Sequence, residues 1–141
     1  MNPKIELLTC SAKTPQYAKP LDVGMDLVAD ESLVIPAGEW RSVRTGIALE
    51  LPASLECQIR SRSGLAANGI TVLNSPGTID SGYRGEVIVI LMNHSPYPFR
   101  IIQGERIAQM VFAKVIRPPL SLVNRLSESE RGTNGLGSTG L

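Results

Sequence analysis

Short segments rich in Val, Ile and Thr, set apart by turn residues, run the length of this chain: KIELLT, SLVIPAG, WRSVRTGIALELP, LECQIRS, ITVLN, EVIVILMN, FRIIQG and RIAQMVFAKVI. Branched side chains pack well on a pleated surface and lose rotamer freedom in a helix, so such runs read as strands. Several alternate polar with apolar residues, as from Arg44 to Leu51, which is the period of a sheet with one face in the core. EVIVIL is apolar on both faces, which predicts a strand buried on both sides or packed against another subunit. The fold class is therefore all-β, a sandwich or barrel. One segment breaks the pattern. SGLAANG, residues 63–69, joins a Ser that can cap a helix, good helix formers and a terminating Gly, and predicts a helical turn or two. After Pro118-Pro119 a last short strand is predicted around LSLVN, followed by LSESERGTNGLGSTGL, which is polar, glycine-rich and without periodicity.

At 141 residues the chain fits one domain with a continuous core that needs neither disulfides nor metal. It divides into a single all-β domain, residues 1–125, and a glycine-rich C-terminal arm, residues 126–141. The balance of 14 basic against 13 acidic side chains gives no basic field of the kind that tracks a nucleic-acid backbone, so no nucleic-acid partner is expected. Cys10 and Cys57 have no CxxC spacing and read as reduced thiols of a cytosolic protein. The N-terminus lacks the basic, apolar and small-residue succession of a secretion signal, and no run of about 18 apolar residues occurs. A soluble cytoplasmic protein with no membrane partner is expected. The single histidine, His94, sits in the turn NHSPYP, which excludes a histidine triad and any metal held by several histidines.

Three stretches carry candidate chemistry. RGTNGLGSTG places Arg131, Ser138 and Thr139 among glycines whose amides can converge on phosphate oxygens, although it lacks the Lys and following helix of a P-loop. Read without that chemistry, it is a flexible terminus. RSRSGLA places Arg62, Ser63 and Gly64 where a short helix begins, and uncapped helical amides attract anions. Two such loops in one small protein point to a polyphosphate ligand. GTIDSGYRG sets Asp80 and Tyr83 in a glycine-rich turn. Asp80 reads either as a turn residue bonding its own backbone or, since it follows Ile79, as an inward-facing carboxylate able to hold and deprotonate a water. Arg84 and Glu86 read as solvated or subunit-contact positions.

Five segments in order, VGMDLVA, RSGLA, NSPGTIDSGYRGEV, GERIAQMVF and RGTNGLGSTG, resemble the five motifs of the trimeric deoxyuridine triphosphatase (dUTPase) family, over nearly all residues from 23 to 140. The resemblance implies a jelly-roll-like homotrimer with shared active sites that hydrolyses dUTP to dUMP and pyrophosphate with Mg²⁺. It implies that Asp80 is the general base, and that Tyr83 lies against the deoxyribose and excludes a 2′-hydroxyl. Uracil would be received by backbone groups around Gly77, Thr78, Ile79 and Ile88, with Asn74 supplying a matching amide. Arg62, Ser63 and Gly64 would hold phosphates, and Gln109 would meet the α-phosphate region. Asp26 would orient waters on a magnesium ion chelated by the triphosphate, with no direct protein ligand. Arg131, Leu136, Gly137, Ser138 and Thr139 would close over the nucleotide as a mobile arm. Leu136 stands where the family carries an aromatic, Met25 where it carries a Tyr, and Ser61 where a Pro precedes the Arg, a change expected to loosen that loop. Two rivals share the fold. A dCTP deaminase would need a protonating Glu beside the cytosine, and an idle nucleotide-binding regulator would not need Asp80, Tyr83 and Arg131 together.

Overall fold

The computed structural model describes residues 2–135. Eleven strands and one helical turn appear among them: β1 (Lys4–Leu7), β2 (Gln16–Tyr17), β3 (Met25–Val28), β4 (Leu33–Ile35), β5 (Trp40–Glu50), β6 (Leu55–Arg60), α1 (Ser63–Ala66), β7 (Ile70–Val72), β8 (Gly77–Ile79), β9 (Glu86–Asn93), β10 (Phe99–Ile101) and β11 (Arg106–Lys114). They form a four-stranded sheet in the order β1-β5-β9-β7, a five-stranded sheet in the order β2-β3-β11-β6-β8, and the pair β10-β4. Pairing is antiparallel throughout. The all-β expectation holds.

The core lies between the sheets, where each fully buried Ile, Val or Leu contributes about 1.5–3 kcal/mol relative to exposure. β9 resolves the two-sided apolar segment. Val87, Val89 and Leu91 are buried, while Ile88, Ile90 and Met92 lie on the opposite face, with Ile88 exposed. Two buried polar side chains are satisfied at the ends of this sheet. The Asn93 amide donates to the carbonyls of Ile35, Pro36 and Tyr97 and its Oδ1 accepts from Ser95, which holds the turn containing His94. Thr45 donates to the Val87 carbonyl.

β5 carries a bulge, since its register with β9 shifts between Arg44 and Ala48. Gly46 in the bulge has a φ of +68°, and a Cβ there would lie 2.7 Å from Asp30 Oδ2. Glu86 fills the irregularity: its carboxylate accepts from the Gly46 amide at 2.8 Å and from Arg44 Nε at 3.1 Å. Glu86 is thus an engaged, half-buried group rather than a solvated one.

Two expectations are corrected. Ser63 does not cap the helix. Arg62 occupies the N-cap with extended backbone and no side-chain cap bond, and Ser63 is the first helical residue. The segment around LSLVN is not a strand. It follows the last strand without a ladder, and Leu120 and Leu122 are essentially fully exposed. A strand needs an edge to pair with, and this segment takes none on its own chain.

Candidate active site

Register brings one set of site residues together. In β11, Gln109 is opposite Asp26 of β3 on one side and Arg60 of β6 on the other, so all three share the outer face of the five-stranded sheet. β6 then runs directly into Arg62, Ser63 and Gly64. The result is a cleft of about 500 Å³ that includes Asp26, Arg62, Ser63, Gly64, Arg106 and Gln109 in its lining. The amides of Ser63, Gly64 and Leu65 open the helical turn, where intrahelical acceptors are missing. With Ser63 not spent on capping, its hydroxyl and these amides are available to an anion.

Each wall is fixed from behind. Gln109 Nε2 donates to the Ser61 carbonyl at 2.9 Å, and its side chain packs on Gly24, where a Cβ would collide with the amide. Ser61 Oγ accepts the Val72 amide at 2.8 Å. The loop expected to loosen without a proline is instead tied to β7 and β11. Asp26 is held by two guanidinium groups, Arg62 Nε at 2.9 Å from Oδ1 and Arg106 Nη1 at 3.3 Å from Oδ2. Among the described residues no group of three or more His, Cys, Asp or Glu can hold a metal. With both oxygens of Asp26 engaged by arginines, these residues fit a magnesium ion reached through water rather than ligated directly.

The acid-bearing turn is a second, separate unit. Tyr83 N–H donates to the Asp80 carbonyl at 3.1 Å, and Tyr83 Oη donates to the Glu86 carbonyl at 3.0 Å. Gly85 makes room for the ring, since a Cβ there would run into it. Arg84 Nη1 donates to the carbonyls of Ser81 and Tyr83, so it clasps the turn from within. Asp80 is exposed, against the inward orientation expected from its place after Ile79. β8 ends at Ile79, and the chain leaves the sheet there before the alternation can return a side chain to the core. Asn74 lies against Gly77, with its Nδ2 3.3 Å from where a Cβ would be.

The two arms of this turn do not pair with each other. β8 pairs with β6 and β9 with β5. β8 is an edge strand, and β9 meets β7 only over Leu91–Asn93, so the backbone edges beside Thr78, Ile79 and Ile88 are without ladder partners among the described residues. The same register separates the turn from the cleft. Ile79, the last paired residue of β8, is opposite Cys57, and Asp80 beyond it is not among the residues lining the cleft. Arg131 lies in a local turn, with Nε donating to the Asn134 carbonyl, and is not part of the cleft. Leu136, Gly137, Ser138 and Thr139 lie outside the described residues.

Sequence reasoning gave no role to Arg106 or Gly24, and it read Ser61 as loosening its loop and Glu86 as a solvated or subunit-contact position. The pair Ile107-Ala108, both buried, was the available signal for Arg106, because two consecutive inward residues mark a bulge. Cys57 is fully buried, and burial pushes its thiol up to about 12, which leaves it unreactive. Cys10 is exposed, and both cysteines are free.

Fold and cleft together define an all-β protein with a cleft lined by arginine and serine and a separate carboxylate-bearing turn. The dUTPase family model matches residues 11–140, and the chain belongs to the dUTPase family. It is 52% identical over 138 residues to the deoxyuridine 5′-triphosphate nucleotidohydrolase of Clostridium tetani, covering 97% of this chain and 95% of that protein. Identity to the same-named protein of Crocosphaera subtropica is 53% over 142 residues, covering the whole of both. The dUTPase of Staphylococcus bacteriophage 80alpha, solved with dUpNHpp, superposes with a TM-score of 0.92 at 27% identity over 99% of each chain. A phage phi11 dUTPase mutant described with a structural Mg(II) ion shares the fold, at a TM-score of 0.84 and 21% identity, covering 91% of this chain and all of that one.

Proposed function

We infer that this chain hydrolyses dUTP to dUMP and pyrophosphate, which limits uracil incorporation into DNA and supplies dUMP for dTTP synthesis. The observation that carries the reading is the full-length identity to proteins named for this activity, in a chain that keeps both an arginine-serine anion cleft and the Asp80–Tyr83 turn. Arg62, Ser63 and Gly64 take the phosphates, with Gln109 beside the α-phosphate. Asp80 accepts the proton of the attacking water. Tyr83, held by the Glu86 carbonyl, closes the space a 2′-hydroxyl would need. Uracil enters between the unpaired edges of β8 and β9, where backbone donors and acceptors near Gly77, Thr78, Ile79 and Ile88 match its polar edge, assisted by Asn74. A wrong base leaves those groups unpaired, which is an effective way to reject it. Asp26 would orient the waters of a Mg²⁺ ion chelated by the triphosphate, and the ion would supply neutralisation of phosphate charge.

The assembly is a homotrimer with shared sites. Asp80 is not among the residues that line the Arg62 cleft, so the turn and the cleft that serve one nucleotide come from different chains. The outer face of β9, with Ile88, Ile90 and Met92, and the bare Leu120 and Leu122 present apolar surface that a neighbour would cover. Residues 126–141, carrying Arg131, Leu136, Gly137, Ser138 and Thr139, close over a neighbour's nucleotide. No helix among the described residues is long and apolar enough to cross a membrane, which accords with work on the cytoplasmic nucleotide pool. The direct experiment incubates the protein with each common nucleoside triphosphate and Mg²⁺. Release of monophosphate and pyrophosphate from dUTP alone is expected, whereas deamination of dCTP or no turnover at all would overturn the reading.

A further inference from the structure

We propose that Arg106 is a positioning residue for triphosphate binding, acting through Asp26: it neutralises the Asp26 carboxylate so that the charge of Arg62 is left to the phosphates. The proposal rests on the dUTPase reading for the identity of the anion. Its physical basis is the bulge in β11. The register against β3 runs Arg106 to Val28 and then Ala108 to Leu27, so Ile107 is the extra residue. In a regular strand, alternation from the outward Gln109 would send Ile107 outward and Arg106 into the core. The bulge reverses this, and the consequence is visible in burial. Ile107 and Ala108 are both inside, and Arg106 comes out onto the face that holds Asp26 and Gln109.

There it completes a three-charge arrangement. Arg62 and Arg106 each take a different oxygen of Asp26, and Arg62 Nη1 also donates to the Arg106 carbonyl at 3.2 Å. Asp26 with Arg62 alone is a neutral pair and would offer a polyanion nothing on balance, with a carboxylate facing it across the cleft. The second guanidinium makes the group net positive and keeps the carboxylate from being an unpaired negative charge beside the phosphates. It also holds Asp26 by both oxygens, which fixes the carboxylate where it can meet the waters of a bound ion.

The test is a double-mutant cycle on the full-length protein, with Arg106→Gln and Asp26→Asn alone and together. Binding of tripolyphosphate and of dUpNHpp is measured by calorimetry without added metal, and kcat and KM for dUTP with it. Arg106→Gln is expected to weaken binding of both ligands and raise KM by about tenfold, with kcat within about threefold of wild type, the pattern of lost uniform binding. In the Asp26→Asn background, where no carboxylate remains to neutralise, the same substitution is expected to cost less than about threefold, a coupling of the size that directly contacting residues show. Arg106→Lys, which keeps the charge, is expected to recover most of the affinity. An equal loss in both backgrounds would mean that Arg106 meets phosphate itself, and no loss would mean that Asp26 needs no second partner. Either result overturns the proposal, as does a fall in kcat at unchanged KM. If Arg106→Gln fails to fold, Arg106→Met enters the same cycle with the aliphatic stem retained. Wild-type turnover of dUTP judges the enzymatic reading separately, because tripolyphosphate reports the coupling in the cleft whatever nucleoside the enzyme accepts.

Discussion

Asp80 sits in a turn whose every other contact is already committed: Tyr83 to the Glu86 carbonyl, Arg84 to two turn carbonyls, Gly85 to the space under the ring. Its carboxylate is exposed and takes no part in those contacts, so it is free to play the proposed part of general base. Asp80→Asn is expected to leave folding and dUpNHpp binding intact and to lower kcat by about 10²–10⁴-fold, because an amide cannot accept the water proton. A variant that retains half its rate would remove Asp80 from the mechanism. Asp30 offers a separate test by pH. The Thr9 hydroxyl, 2.6 Å from Oδ2, and then Ser11 hold its carboxyl below the ordinary value of 3.8. The depressed value means that this stabilisation is present at neutral pH and fades once pH falls below about 3.8 toward the folded-state value. Asp30→Asn is expected to melt at a lower temperature than wild type at pH 7, with the two melting curves converging as the pH drops below that point. A constant gap across the titration would show that the lost stability is not electrostatic.

The loop from β6 into α1 shows how one side chain can take over the work of a missing proline. Ser61 has an ordinary backbone, but its Oγ accepts the amide of the buried Val72 and its carbonyl accepts Gln109, so the turn that carries Arg62 and Ser63 is fastened at two points. Ser61→Ala strands the Val72 N–H, and a buried donor without a partner costs about 1–3 kcal/mol. The melting temperature should fall by about 2–4 °C for each kcal/mol lost in a chain of this size. KM for dUTP should rise as the turn loosens, with kcat less affected. Calorimetry and steady-state kinetics on the same preparation would show both effects, and an unchanged melting curve would mean that the tie is not formed in solution.

At the scale of the whole molecule, the separation of the Asp80 turn from the cleft lined by Arg62 turns a question about chemistry into one about assembly. If the acid-bearing turn and the closing arm of a site come from different chains, two inactive variants can repair each other. Asp80→Asn and a chain ending at Glu130, refolded together in equal amounts, leave a site intact when its turn comes from the truncated chain and its arm from the Asp80→Asn chain. Random assembly makes this about one site in four in a closed three-fold oligomer. Activity of about a quarter of the wild-type level is therefore expected from the mixture, measured by pyrophosphate release from dUTP. A trimeric mixture as inactive as its components would place turn and arm on one chain.

The sequence by itself determined what depends on near neighbours. Alternation and β-branched composition marked eight of the eleven strands, glycines marked the turns, and motif order offered Asp26, Arg62, Gln109 and Asp80 as candidate site residues. Tertiary structure decided what depends on distant partners. Whether Asp80 faces the core follows from where β8 stops pairing with β6, and the side Arg106 faces follows from a bulge against β3. The burial of Glu86 follows from a bulge in β5, some forty residues away in the chain. The LSLVN segment has strand composition and no ladder, because composition can favour an extended backbone but only a free edge can supply its hydrogen bonds. Side-chain period is a local property of two residues, whereas register is a property of a pair of strands, and one inserted residue reverses every face beyond it.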